Sequence, residues 1–136
     1  MNFAVADKKP QIKPELVNEF VGNAHGNLQR VKELLEQEPA LLNAAWDWGG
    51  GDWETALGAA AHTGQAAIAH YLLEHGAHLD IFAAAMLGKL DIVQAISAIQ
   101  PNALTALGPH GIPLIIHAEM GGEAATAVVE FIKANL

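Results

Sequence analysis

A chain of 136 residues with 51% hydrophobic and 16% charged side chains is too apolar to stay disordered, and it is close to the commonest size for one domain. Its net charge of −8 repels phosphate backbones and anionic lipid, so neither nucleic acid nor membrane is expected as a partner. The absence of cysteine excludes disulfides and thiolate metal sites. Charge is also unevenly placed: Lys8, Lys9, Lys13, Arg30 and Lys32 lie near the start, whereas Glu33 to Gly88 carries carboxylates and no Lys or Arg. Alanine dominates the apolar content and no sustained period-two alternation appears, which predicts an all-α fold of closely packed short helices.

Residues 1–13 read as a flexible N-terminal tail, because Lys8-Lys9-Pro10 and Pro14 keep the backbone out of helix until Glu15. They lack the apolar core of a secretory leader, and no apolar run is long enough to cross a bilayer. A cytoplasmic location is therefore expected. Residues 14–136 are expected to form a single domain, opened by a helix that accepts Pro14 at its first position.

From there a pattern recurs: a short apolar helix, a glycine, a longer amphipathic helix, a loop. Gly26-Asn-Leu-Gln-Arg-Val-Lys-Glu-Leu-Leu is the second half of such a unit. The clearest copy runs from Glu54 to Asp80. Leu57, Ala60 and Ala61 share one face of its first helix, and Gly64 ends that helix as a left-handed residue. Ile68 and Leu72 then face the core, and Gly76 closes the second helix. Gly88-Lys-Leu-Asp-Ile-Val-Gln-Ala-Ile repeats the second half, and Gly111 to Gly121 the first half, with Pro113 and Leu114 in register.

The segment from Glu54 to Asp80 resembles an ankyrin repeat. Thr55, Leu57, Ala60, Ala61, Gly64, Ile68, Leu72, Leu73, Gly76 and Ala77 fill positions of the family pattern, while Ala56 and Gly58 replace its proline and histidine. The resemblance implies an ankyrin-type solenoid of about four helix–turn–helix repeats over residues 15–136, similar to short stand-alone bacterial members of the family. The inter-helix glycines Gly26, Gly64, Gly88 and Gly121 depart from the family period of about 33 residues. The first interval is long and holds an enlarged Trp/Gly finger, and the second leaves little room for any finger.

That finger, Trp46-Asp-Trp-Gly-Gly-Gly-Asp-Trp53, combines turn-forming glycines with rigid rings and carboxylate acceptors. Read as a binding loop, it offers Trp46, Asp47, Trp48, Asp52 and Trp53 to a partner. Read structurally, its rings fold back and seal a thin core. The resemblance implies that partners lie along the fingers and the ends of the first helices, which adds His62, Met86, Leu87, Glu119 and Met120; the apolar Met86, Leu87 and Met120 are read equally as a binding patch or as packing under the neighbouring finger. His110, in the turn Gly108-Pro-His-Gly111, is a further candidate contact.

None of the seven histidines stands at the spacing that sets two imidazoles over one zinc, so they read as surface and turn residues. His62 is near enough in the chain to meet Asp47 or Asp52. No nucleophile elbow or phosphate loop is present, since no Lys follows Gly49-Gly50-Gly51. The leading expectation is a non-catalytic protein–protein interaction module, monomeric, with an unidentified protein partner, no metal and no cofactor. The alternative is a small-ligand or metal-responsive binding protein that uses the Trp/Gly loop as a lid.

Overall fold

Proline at position 14 lacks the N–H that a first helical turn leaves unpaired, and helix α1 begins on it (Pro14–Asn23). A computed structural model describes residues 8–136. Residues 8–13 carry no regular element, and the rest of the expected tail lies outside the described residues. The chain continues through α2 (Leu28–Gln37), strands β1 (Ala45–Asp47) and β2 (Trp53–Thr55), then α3 (Ala56–His62) and α4 (Ala66–Glu74). It ends with α5 (Ile81–Met86), α6 (Leu90–Ile99), α7 (Leu114–Met120) and α8 (Thr126–Ala134). The described residues are thus mostly helical, and no helix among them is long and apolar enough to cross a membrane.

Side-chain caps set several helix starts. Asn27 accepts from the Arg30 N–H at the head of α2, Thr55 from Gly58 at α3, and Asp80 from Ala83 at α5. The helix pairs α1/α2, α3/α4, α5/α6 and α7/α8 follow one another, and the first helices pack in order, α1 on α3, α3 on α5, α5 on α7. Close approach is possible because α3 and α5 bury blocks of alanine, Ala59 to Ala61 and Ala83 to Ala85. Two apolar clusters result, one built on Phe20, Leu34, Leu57 and Leu72, the other on Leu114, Val128 and Ile132.

Gly64 and Gly88 have φ of 69° and 74°, so both end their helices in the left-handed region that the spacing predicts. Each also abuts a neighbouring backbone: a Cβ on Gly64 would stand 2.7 Å from the Met120 carbonyl oxygen, and one on Gly88 would collide with that of Ala124. The other two inter-helix glycines, Gly26 and Gly121, are not left-handed. Gly121 has φ −75°, and the left-handed residue is its neighbour Gly122. Gly121 is instead pressed against the Met86 carbonyl, where a side chain has no room.

Between the first two pairs the finger is a two-stranded antiparallel hairpin, Ala45 facing Thr55, Trp46 facing Glu54 and Asp47 facing Trp53. Its tip is held from inside: the Asp47 carboxylate accepts from the N–H groups of Gly49 and Gly51 at 2.8–3.1 Å. Gly49, Gly50 and Gly51 all have positive φ, so a residue with a side chain would strain this tip at each of the three. The link from α4 to α5 has no strand, as the short interval implies. A second projection, Ala106 to Pro113, precedes α7 and is pinned by a bond from the Gly108 N–H to the Ile112 carbonyl, 2.8 Å.

Candidate functional site

Three segments of the chain converge on one carboxylate. Glu54 sits at the middle of β2, where the alternation of the strand turns its neighbour Trp53 outward and Glu54 inward. Its side chain is fully buried. His25, in the turn after α1, places Nε2 3.1 Å from Glu54 Oε1. His62, the last residue of α3, places Nε2 2.9 Å from Oε2, since helical side chains lean back toward the helix start. His110, in the loop ahead of α7, places Nε2 3.2 Å from the same Oε2. Donor atoms of the four residues lie within 4.8 Å of one another.

The rings are held from behind. His25 Nδ1 faces the carbonyl oxygens of Val21 and Gly22 at 3.1 and 3.0 Å, so that nitrogen carries the proton. His110 Nδ1 lies 2.8 Å from Asp52 Oδ2, and the His110 backbone N–H donates to Asp52 Oδ1 at 2.8 Å. This second bond stabilises an uncommon backbone: His110 is the one non-glycine residue with positive φ among the described residues, at 62°, a strain on the order of 1 kcal/mol. The His110 N–H and ring together hold the Asp52 carboxyl below its ordinary range, the backbone N–H contributing most. Burial pushes the His62 imidazole below its ordinary value, against the opposing pull of Glu54.

Over the cluster lies Trp48. Its indole N–H donates to Glu54 Oε1 at 3.0 Å, and its ring meets His25 edge-on at 6.1 Å between centroids. Yet Glu54 Oε2 and His62 Nε2, both buried and 2.9 Å apart, are not aligned as a hydrogen bond, and neither atom makes a hydrogen bond elsewhere, although His110 Nε2 also stands 3.2 Å from Oε2. Beside the cluster, on the other face of β2, runs an open groove of about 360 Å³ lined by Asp52, Trp53, Asp80, Phe82, Leu107 and Pro109, among others.

The residues singled out from sequence therefore divide. Trp46 is half-buried against the first apolar cluster, and Asp47 is spent on the hairpin tip. Trp48, Asp52, His62 and His110 belong to or support the histidine–glutamate cluster. Trp53 is 61% exposed on the groove. Met86, a candidate for either a binding patch or packing, is 2% exposed and lies in the core, because α5 is packed between α3 and α7. Leu87 is half-buried against the same core, while Glu119 and Met120 are exposed at the end of α7. The reading of the histidines as surface and turn residues places His25 and His110 in turns, where they are, but it is corrected for His117, which is fully buried, and for His62, whose side chain is 13% exposed; Glu54 was not singled out at all. Residues 25, 54, 62 and 110 share no spacing, and only the Trp/Gly segment hinted at the place.

No curated protein and no solved structure matches the chain significantly. The sequence model of the ankyrin repeat matches residues 52–83, the stretch that forms β2, α3, α4 and the first turn of α5. Residues 52–83 thus carry the pattern of one ankyrin repeat.

Proposed function

We propose that the chain is a non-catalytic protein-interaction module of about four ankyrin-type repeats, and that its partner docks in the groove between the Trp/Gly finger and the projection ahead of α7. Ankyrin repeats are in general protein-binding modules. The observation that carries the finer reading is the pairing of Trp53, 61% exposed, with Leu107, 66% exposed, on the rim of one groove. Large apolar side chains set side by side on a concave surface are the usual anchor points of a partner, tryptophan above all. Phe82 and Pro109 floor the groove, and the carboxylates of Asp52 and Asp80 border it. An apolar anchor with a basic group beside it is the partner chemistry that fits. The groove is open rather than enclosed, which suits a protein segment better than a small molecule that must be mostly buried.

Affinity capture from the source cells tests this with Trp53→Ala and Leu107→Ala, and with Ile99→Ala on the exposed end of α6 as the control. Both groove variants should keep wild-type melting and lose their partner by about tenfold, or about 1.4 kcal/mol. Capture that survives both groove changes, or that Ile99→Ala weakens equally, overturns the groove assignment. The metal-responsive alternative rests on a different observation, the histidine–glutamate cluster.

A further inference from the structure

We propose that His25, Glu54, His62 and His110 form a binding site for one divalent transition-metal ion of the zinc type, with Asp52 and Trp48 as its supporting shell. The inference is independent of the partner groove. It rests first on tautomers. His25 Nδ1 faces two carbonyl oxygens and His110 Nδ1 faces a carboxylate, so each neutral ring carries its proton there. Each therefore turns the bare lone pair of Nε2 toward Glu54, at 3.1 and 3.2 Å. Lone pairs aimed at a carboxylate repel unless a cation lies between them.

Two protons would answer that need, but they would leave two imidazolium rings against a third histidine, with ring centroids 5.0–6.3 Å apart. One dication answers it without crowding like charges, and its charge matches Glu54 and Asp52 together. The geometry agrees. Donors at about 2.0–2.1 Å from a tetrahedral ion stand about 3.3 Å from one another. The contacts to the Glu54 oxygens, His25 on Oε1 and His62 and His110 on Oε2, measure 2.9 to 3.2 Å, close to that edge, and the donor atoms of all four residues lie within 4.8 Å, so side-chain adjustment of about an ångström closes the set on one ion. The unaligned, buried Glu54 Oε2 and His62 Nε2 are then donors directed at a common point rather than at each other.

The outer contacts follow the same pattern. Metal-bound histidines donate their second ring N–H to a carbonyl or a carboxylate, and His25 and His110 do one each. Three imidazoles and one carboxylate favour zinc, nickel, cobalt or copper over magnesium and calcium, which prefer oxygen alone. Four protein donors close a tetrahedron, so the ion serves structure: it ties the turn after α1, the finger, the end of α3 and the loop ahead of α7 to one point.

The test uses the full chain after chelator treatment, titrated with zinc chloride by calorimetry and with cobalt chloride by visible spectroscopy. One ion per chain, a raised melting temperature and the intense visible bands of tetrahedral cobalt are expected. His25→Ala combined with His110→Ala should weaken zinc at least about a hundredfold, and Asp52→Asn about tenfold. His75→Ala combined with His78→Ala, outside the cluster, should bind as wild type. Circular dichroism identifies any variant that does not fold, and the cobalt spectrum of the wild type stands apart from all variants. Absence of stoichiometric uptake by the wild type, an octahedral cobalt spectrum, or uptake lost only in the His75/His78 variant overturns the proposal.

Discussion

Asp52 and His110, 58 residues apart, clasp the Trp/Gly finger to the loop ahead of α7 through two contacts of 2.8 Å, one to the backbone N–H and one to the ring. The first holds the backbone of His110 at φ 62°, a conformation that a histidine does not keep unaided. Asp52→Ala removes both contacts and Asp52→Asn retains an acceptor for the N–H. Limited proteolysis between Leu107 and Ile112 should therefore rank wild type most resistant, then Asp52→Asn, then Asp52→Ala. Equal cutting of all three would show that the clasp does not order the loop.

Gly64 and Gly88 predict a pair of costly substitutions. Valine at either position meets a left-handed backbone and a neighbouring carbonyl, and should cost more than about 1 kcal/mol in urea denaturation. Gly88→Val should be the worse, because its Cβ meets the Ala124 carbonyl more closely than that of Gly64 meets Met120. Gly22 lies inside α1 with open space around it, so Gly22→Ala should be neutral or stabilise by about 0.5–1 kcal/mol.

The three tryptophans should separate by what each touches. Trp46 packs on the first apolar cluster, and Trp46→Ala should cost about 2 kcal/mol or more. Trp53 projects into solvent, and Trp53→Ala should stay within about 0.5 kcal/mol. Trp48→Ala should fall between, since it strips a buried carboxylate of its indole donor. Chemical denaturation of the three single variants checks the order. A Trp53→Ala cost as large as that of Trp46→Ala would contradict it.

His117 predicts a pH dependence. It is fully buried beside Phe82, with Nδ1 3.0 Å from the Pro113 carbonyl, and burial pushes its imidazole below the ordinary value of 6.5 despite Asp80 and Glu54 nearby. The unfolded chain then binds this proton more readily than the folded one, so stability is lost as pH falls from about 6.5 toward the lower folded value. His117→Gln lacks that loss. Denaturation curves between pH 8 and pH 5 should show the advantage of the wild type over His117→Gln shrinking through that window. An advantage that grows on acidification would reverse the sign and refute the assignment.

Local features were readable from the sequence because their causes are local. Pro14 opens α1, and Gly64 and Gly88 end their helices, each through its own backbone. The role of Gly121 was not readable, because it is set by Met86 across the stack rather than by its own turn. Met86 stayed open between a surface patch and the core for the same reason, being buried by helices that the sequence does not show beside it. The cluster around Glu54 was the least readable. A glutamate in a polar, glycine-rich finger reads as exposed, and only the folding of that finger over α3 brings it beneath Trp48 and between three histidines.

Because successive residues of β2 point to opposite sides, Glu54 and Trp53 are neighbours on the chain but belong to different surfaces. Any event that firms up one side of this three-residue strand restrains the other. Thermodynamic reciprocity then sets a quantitative relation: if loading of the histidine–glutamate side strengthens a partner's hold on Trp53, that partner must strengthen the loading by the same factor. If both proposed sites are filled, a short hairpin placed this way would transmit between them without a moving domain, and its gain would be read by titrating either side in the presence of the other.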